Sequence, residues 1–243
     1  MKPISVAILI PARNEADRIV DTIRALQKAL PDAPVLVLDD GSIDGTADRA
    51  RHAGAQVVHV SDYLPRTGSK GDALWLGWQL IPAEVYLFLD ADLGESARYA
   101  PRLLTPVQLR YAEMTIAVLP PAGRAGGFGT VARLARLYLH LRTGRRFRAP
   151  LSGQRAIRRE LLVQLQGFAP GYGLELGLTL DACLLGARIL EVETPFEHRA
   201  YGRTLKGFLH RARQLRDVCL AMAGVRKAGY NCLSGNYLTH RRE

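Results

Sequence analysis

Little in this chain invites a disulfide, a metal–thiolate site or a membrane span. Its 243 residues include three cysteines, Cys183, Cys219 and Cys232, none spaced as metal ligands. No disulfide framework is expected, and a reducing cytosol is the expected compartment. No apolar run approaches the roughly 18 residues of a membrane-crossing helix. The opening Met1-Lys2-Pro3-Ile4-Ser5 leads into about six apolar residues, too few for the core of a secretion signal. The protein is therefore expected to be soluble or peripheral to a membrane. Acids are also scarce: 23 Asp and Glu face 33 Lys and Arg, a formal charge of +10. That surplus suits a nucleotide, a phosphorylated acceptor or an anionic lipid surface. Nucleic acid is not an expected partner, because the 7% of aromatics form no stacking ladder and no binding motif is present. The Walker spacing Gly-x-x-x-x-Gly-Lys-Ser/Thr is missing as well.

What is present is a well-apolar chain, 48% hydrophobic and 23% charged, long enough for a full core. Its most informative stretch is Val85-Tyr86-Leu87-Phe88-Leu89, a buried-strand pattern running straight into Asp90-Ala91-Asp92. Two neighbouring carboxylates repel unless something positive lies between them. A divalent cation with a diphosphate completing its shell is the simplest such partner. A capping role at a following helix or turn is the alternative reading of the same pair.

Strands are expected at 6–10, 35–38 and 56–60, with helices between them. Ile19, Ile23, Leu26 and Leu30 mark the first helix, with Asn14 available as its cap, and 47–53 forms the second. This alternation predicts parallel strands with right-handed crossovers, and ligands bind at the carboxyl ends of such strands. The acidic turns lie at those ends. A loop from Pro65 to Asp72 carries glycines and Lys70 ahead of a helix over 73–80, which suits a phosphate. Further elements follow at 113–119 (strand), 130–141 (helix), 151–156 (strand), 160–165 (helix), 171–185 (helix) and 188–192 (strand). The glycine-rich segment 120–129 predicts a loop. The basic run Arg142 to Arg148 is either a solvated turn or a patch for phosphate or membrane. Glu175 falls in an apolar helical stretch, where an ionised carboxylate needs a partner or a cleft. A last amphipathic helix over 205–222 has either a solvated or a lipid-docked basic face.

Several of these segments together carry a family resemblance. Ile10-Pro11-Ala12-Arg13-Asn14-Glu15, Asp39-Asp40-Gly41-Ser42-x-Asp44-Gly45-Thr46, Lys70-Gly71-Asp72-Ala73-Leu74 and Asp90-Ala91-Asp92 occur in the order seen in GT-A glycosyltransferases. The resemblance covers roughly residues 5 to 210. Within that class the chain is similar to glucosyl-3-phosphoglycerate synthases through Lys70 to Trp75, Pro150 to Gly153 and Ala169 to Leu178. The segments 191–195 and 202–206 equally resemble polyprenyl-phosphate sugar transferases. Gln154 departs from the pattern, since the synthases commonly carry Glu after their Ser-Gly. The chain is also shorter than those synthases, its segment 122–148 is richer in arginine, and it lacks the membrane-spanning tail of some lipid-linked transferases.

The resemblance implies a single GT-A domain over 1–243, with a Rossmann-like, mixed but mostly parallel sheet flanked by helices. Residues 1–93 would form the nucleotide-binding half, 94–203 the acceptor half and 204–243 a C-terminal helix and tail. It implies a hexosyltransferase using a nucleotide sugar, UDP-glucose by the synthase match, and Mg2+ or Mn2+. Pro11, Ala12, Arg13, Glu15, Asp40, Lys70, Asp90 and Ala91 would contact the nucleotide sugar. Asp92, with Asp90 and His198, would hold the cation, and Asp92 and Glu175 would be the catalytic residues. Thr130, Arg133, Ser152, Tyr172 and Arg203 would face the acceptor. That acceptor is a small phosphorylated molecule such as 3-phosphoglycerate, or a polyprenyl phosphate at a membrane surface. A homodimer is compatible with the pattern. A nucleotidyltransferase would carry a glycine-rich basic signature after its first strand, and residues 11–15 supply none.

Overall fold

The computed structural model describes residues 4–64, 69–120, 129–197 and 215–224. Seven strands form one sheet: β1 (Val6–Ala12), β2 (Val35–Asp39), β3 (Gln56–His59), β4 (Val85–Phe88), β5 (Met114–Val118), β6 (Arg155–Arg158) and β7 (Ile189–Glu193). Their order is β3-β2-β1-β4-β6-β5-β7. All neighbours run parallel except β6, which is antiparallel to both β4 and β5. The mixed, mostly parallel sheet expected from the sequence is therefore observed.

The helices are α1 (Ile19–Ala29), α2 (Thr46–His52), α3 (Lys70–Leu80), α4 (Pro101–Gln108), α5 (Gly129–Thr143), α6 (Arg159–Leu162) and α7 (Leu174–Leu184). Strand side chains alternate between two apolar layers, as the pleat requires. Ile8, Ile10, Val35 and Val37 pack with Ile19, Ile23 and Leu26 of α1 and with α4. Leu9, Leu36, Leu38, Tyr86 and Phe88 face α3, α5 and α7 on the other side. Gly77 lets α3 sit directly on the sheet: a Cβ there would come within 2.6 Å of Leu38 Cδ1.

Two consequences of the strand directions matter for function. The carboxyl ends of β1, β2 and β4 lie along one edge and deliver residues 13–16, 40–46 and 89–93 to it. Because β6 is reversed, its start meets the end of β4, with Arg155 in register with Phe88. The segment 152–154 thus arrives at the same edge as Asp90.

Some expectations are corrected. Asn14 does not cap α1, which starts at Ile19 without a side-chain cap. Asn14 instead takes a left-handed φ of 56°, and its Oδ1 accepts from the amide of Ile43. Helix α3 begins at Lys70 rather than residue 73, with the Ser69 side chain capping it through the Asp72 amide. The strand expected at 151–156 begins only at Arg155. The 3-10 turn Gly94–Tyr99 and helix α4 were not anticipated; Pro101 and Pro106 break the usual helical signal there. Of the helix expected over 205–222, residues 215–222 are described and helical. Its buried face holds Asp217, Val218 and Ala221, while Leu215 and Leu220 are exposed. Gly171 and Gly173 let this helix pack closely, since a Cβ on either would collide with Asp217. The Pro65–Gly68 segment, residues 121–128, His198, Arg203 and 205–214 lie outside the described residues, as does the side chain of Tyr172.

The motif Asp39 to Thr46 is largely a staple between the β2–α2 loop and the β1–α1 loop. Ser42 Oγ accepts from the Asn14 amide at 3.0 Å, Thr46 Oγ1 from the Glu15 amide at 2.8 Å, and Asp44 Oδ2 from the Ala16 amide at 3.1 Å. The slight desolvation of Asp44 favours its acid form. The hydrogen bonds from Thr46 and from the amides of Ala16 and Thr46 outweigh it, holding the carboxyl below its ordinary value. The staple is thus in place above the ordinary carboxylate range and weakens as pH falls through the lowered pKa. Thr46 is fully buried, so Thr46→Val leaves the Glu15 amide without its acceptor. It is expected to lower unfolding free energy by about 1–3 kcal/mol in urea titrations; an unchanged midpoint would contradict the staple.

Candidate functional site

At the carboxyl edge, Lys70 from the first turn of α3 lies between two carboxylates. Its Nζ donates to Asp90 Oδ1 at 2.6 Å and to Glu175 Oε1 at 3.1 Å. Asp90 follows β4, whereas Glu175 lies 85 residues further on, in the first turn of α7. Desolvation opposes the ammonium's charge, but the fields and hydrogen bonds of Asp90 and Glu175 outweigh it and raise its pKa above the ordinary lysine value. Lys70 therefore stays charged at neutral pH at the centre of the edge. The partner that Glu175 requires is this lysine.

Gln154 completes the hold on Asp90. It is wholly buried, donates Nε2 to Asp90 Oδ2 at 2.5 Å, and accepts the Ser152 hydroxyl on Oε1 at 3.1 Å. The reversed amide would set an oxygen against a carboxylate, so these partners decide its orientation. Gly153 between them makes room: a Cβ there would lie 2.4 Å from Lys70 Nζ and 3.3 Å from both Asp90 oxygens. Ser152, expected to face an acceptor, is half-buried and donates its hydroxyl to Gln154.

Arg155 fastens the backbone around Glu175. It is fully buried, and its guanidinium donates to the carbonyls of Ser152 (2.9 Å), Pro150 (2.8 Å) and Glu175 (2.9 Å) and to Thr179 Oγ1 (2.9 Å). Burial pulls its pKa down to about 10 against the attraction of Glu175, Glu191 and Cys183, so it stays charged at neutral pH. One side chain therefore ties loop 150–152 to the start of α7.

Of the other expected residues, Ala12 and Asp40 are buried at adjoining strand ends, and the Asp40 amide donates to the Ala12 carbonyl at 3.0 Å. Pro11, Glu15 and Asp92 are half-buried, Ala91 is buried and Arg13 is exposed. Thr130 and Arg133 are exposed on the first turns of α5; no hydrogen bond among the described residues ties them to Lys70, Asp90 or Glu175. The basic run is partly structural, because Arg145 donates to the carbonyls of Ala187 and Ile189, and Arg148 pairs with Glu193.

Gln154 and Arg155 were missed as site residues. The only signals were a glutamine at an unusual position and an arginine inside a strand pattern. A cavity of about 560 Å3 lined by Tyr138, Arg142, Leu180, Leu184, Leu185 and Met222 shares no residue with this cluster.

No group of three or more metal-ligating side chains exists among the described residues. Asp90 and Asp92 nonetheless supply oxygen donors, the type preferred by Mg2+ and Mn2+. Such a pair suits a cation whose remaining ligands come from a diphosphate and water. Both Asp90 oxygens accept hydrogen bonds, from Lys70 and from Gln154.

Sheet order, the reversed β6 and acids at the carboxyl edge define a GT-A-type nucleotide-binding architecture. A family model described as "Glycosyl transferase family 2" matches residues 7–165. The chain belongs to glycosyl transferase family 2. It is 33% identical over 201 residues to a glucosyl-3-phosphoglycerate synthase of Mycobacterium tuberculosis, covering 73% of this chain and 60% of the relative. It is 31% identical over 211 residues to an undecaprenyl-phosphate mannosyltransferase of Micrococcus luteus, covering 82% of this chain and 86% of the relative. The solved structure of the M. tuberculosis synthase with Mn2+, UDP-glucose and phosphoglyceric acid superimposes with a TM-score of 0.76 at 31% identity, covering 93% of this chain and 82% of that one.

Two substitutions test the cluster. Gly153→Ala is expected to keep the fold, displace Lys70 from Asp90 and weaken Mn2+–UDP binding at least about tenfold by calorimetry, the loss of a charge-assisted hydrogen bond. Unchanged affinity would show that Lys70 is not needed there. Arg155→Lys cannot reproduce the four-acceptor fork and is expected to cost about 2–4 kcal/mol in denaturant unfolding; wild-type stability would contradict the anchoring role.

Proposed function

We propose that this protein transfers a hexose from a nucleotide sugar, UDP-glucose, to a small phosphorylated acceptor such as 3-phosphoglycerate, with Mg2+ or Mn2+. The observation that carries the reading is the Lys70–Asp90–Glu175 cluster at the carboxyl edge of a family-two sheet. The similarity to glucosyl-3-phosphoglycerate synthases supports this donor and acceptor.

In this reading the base and ribose lie against Pro11 to Arg13, Glu15 and Asp40, and Asp90 and Ala91 lie under the ribose. Departure of the diphosphate develops negative charge at the edge, and the fixed Lys70 ammonium offsets it. Asp92 would hold the cation, with His198 as a further ligand. In support, the amide of Glu197, one residue earlier, donates to Ser96 Oγ at 3.0 Å, beside the turn that carries Asp92. A bound Mg2+ or Mn2+ would act as a Lewis acid on the leaving diphosphate. Glu175 contacts the transferred sugar or the acceptor, its backbone fixed by Arg155 and its carboxylate by Lys70. Thr130, Arg133, Ser152, Tyr172 and Arg203 are the acceptor-side residues of this reading.

A second acceptor class has its own support. The match to the undecaprenyl-phosphate enzyme spans 86% of that relative. Leu134, Leu137 and Leu141 are exposed on α5 beside Arg133 and Arg142, a face that suits a lipid-phosphate acceptor at a membrane surface. No helix of the described residues is long and apolar enough to cross a membrane.

The direct assay supplies UDP-glucose or GDP-mannose with 3-phosphoglycerate or a polyprenyl phosphate, with Mn2+ or with chelator. UDP-glucose with 3-phosphoglycerate is expected to turn over only with metal, and Asp92→Asn to reduce turnover at least about a hundredfold. Metal-independent turnover, or a fully active Asp92→Asn variant, would defeat the mechanism. Turnover with the polyprenyl phosphate alone would replace the acceptor.

A further inference from the structure

The turn carrying the acid pair is gripped by a helix that no motif marks. Thr22, in the second turn of α1, is fully buried among apolar neighbours. Its hydroxyl donates to the Ala91 carbonyl at 2.8 Å and accepts from the Gly94 amide at 2.8 Å. It also lies 3.1 Å from the Arg18 carbonyl of its own helix. One turn earlier, Arg18 Nη1 donates to the Asp92 carbonyl at 3.2 Å. Three backbone groups at and around Asp92 are thus held from the start of α1. Gly94 has a left-handed φ of 54°, a conformation that glycine tolerates and that turns its amide back towards Thr22. A buried hydroxyl bonded to both sides of a turn specifies that turn more closely than apolar packing does.

The same N-terminal end of α1 adjoins the nucleotide side. The amides of Asn14, Glu15 and Ala16, just ahead of the helix, are stapled to Ser42, Thr46 and Asp44. The start of α1 therefore lies between the loop assigned to the base and the turn assigned to the cation. We infer that Thr22, assisted by Arg18, is a positioning residue that fixes the Asp90–Gly94 turn and so the Asp92 carboxylate. The inference rests on the transferase reading for its ligand, Mn2+ with UDP, but not for its geometry. Neither side chain is proposed to touch substrate.

The test compares Thr22→Val, which is isosteric but cannot form the bonds, with Thr22→Ser, which can. Amide exchange without ligand is expected to quicken in the peptide covering 90–97 of Thr22→Val, with β1 and β2 unchanged, and to return towards wild type in Thr22→Ser. Mn2+–UDP affinity is expected to fall about tenfold in Thr22→Val and to recover in Thr22→Ser. If Thr22→Val does not fold, Arg18→Met removes only the bond to Asp92 and is expected to weaken Mn2+–UDP about threefold. Exchange and affinity both at wild-type values in Thr22→Val, or in Arg18→Met where that variant is used, would overturn the inference. So would an equal loss in Thr22→Val and Thr22→Ser. Wild-type protein that binds no Mn2+–UDP would defeat the donor reading, and the exchange comparison would then decide the positioning claim by itself.

Discussion

A single ammonium between two carboxylates holds the working edge together. Lys70 starts α3, Asp90 ends β4 and Glu175 starts α7, so one cation joins segments far apart in the sequence. Two buried or half-buried carboxylates brought this close would repel without it, and the cost would fall on the whole edge. Much nearby sequence serves that contact. Ser69 caps α3 so that Lys70 lies in its first turn, Gly153 leaves out the Cβ that would strike the ammonium, and Gln154 takes the second oxygen of Asp90. Arg155, the next residue, fastens the helix that carries Glu175. Four consecutive residues, Ser152 to Arg155, thereby set the side-chain geometry of three distant elements.

The parts legible in the sequence were those where local pattern and chemistry coincide. Apolar runs ending in Asp39-Asp40 and in Asp90-Ala91-Asp92 announced parallel strands with a ligand edge, and Glu175 in an apolar stretch announced a need for a partner. The parts not legible depend on a strand direction that periodicity does not encode. Nothing local says that β6 runs backwards, yet this reversal brings Ser152, Gln154 and Arg155 to Asp90 rather than to the far edge. Thr22 was invisible for another reason, since a single threonine in an amphipathic helix reads as a neutral filler. Asn14 was misread because a cap and a loop staple draw on the same side-chain chemistry. The bond from the Ser152 hydroxyl to Gln154 was equally hidden, since it depends on where β6 starts.

The edge also explains why the acid pair is asymmetric. Asp90 is engaged on both oxygens by Lys70 and Gln154, which suits a carboxylate that is held still. Asp92 follows two residues later on a backbone held from the start of α1. The groove between α5, α7 and the segment 215–224 carries none of these groups.

The central claim is that donor and cation meet at the Lys70 edge. A crystal structure of the full chain with Mn2+ and UDP tests it most directly. The account predicts the cation at roughly 2.2 Å from an Asp92 carboxylate oxygen, a usual oxygen-ligand distance, with the diphosphate on its far side and the Lys70–Asp90 contact retained. A nucleotide lodged in the α5–α7 groove, or a cation bound with Asp92 turned away from it, would contradict it.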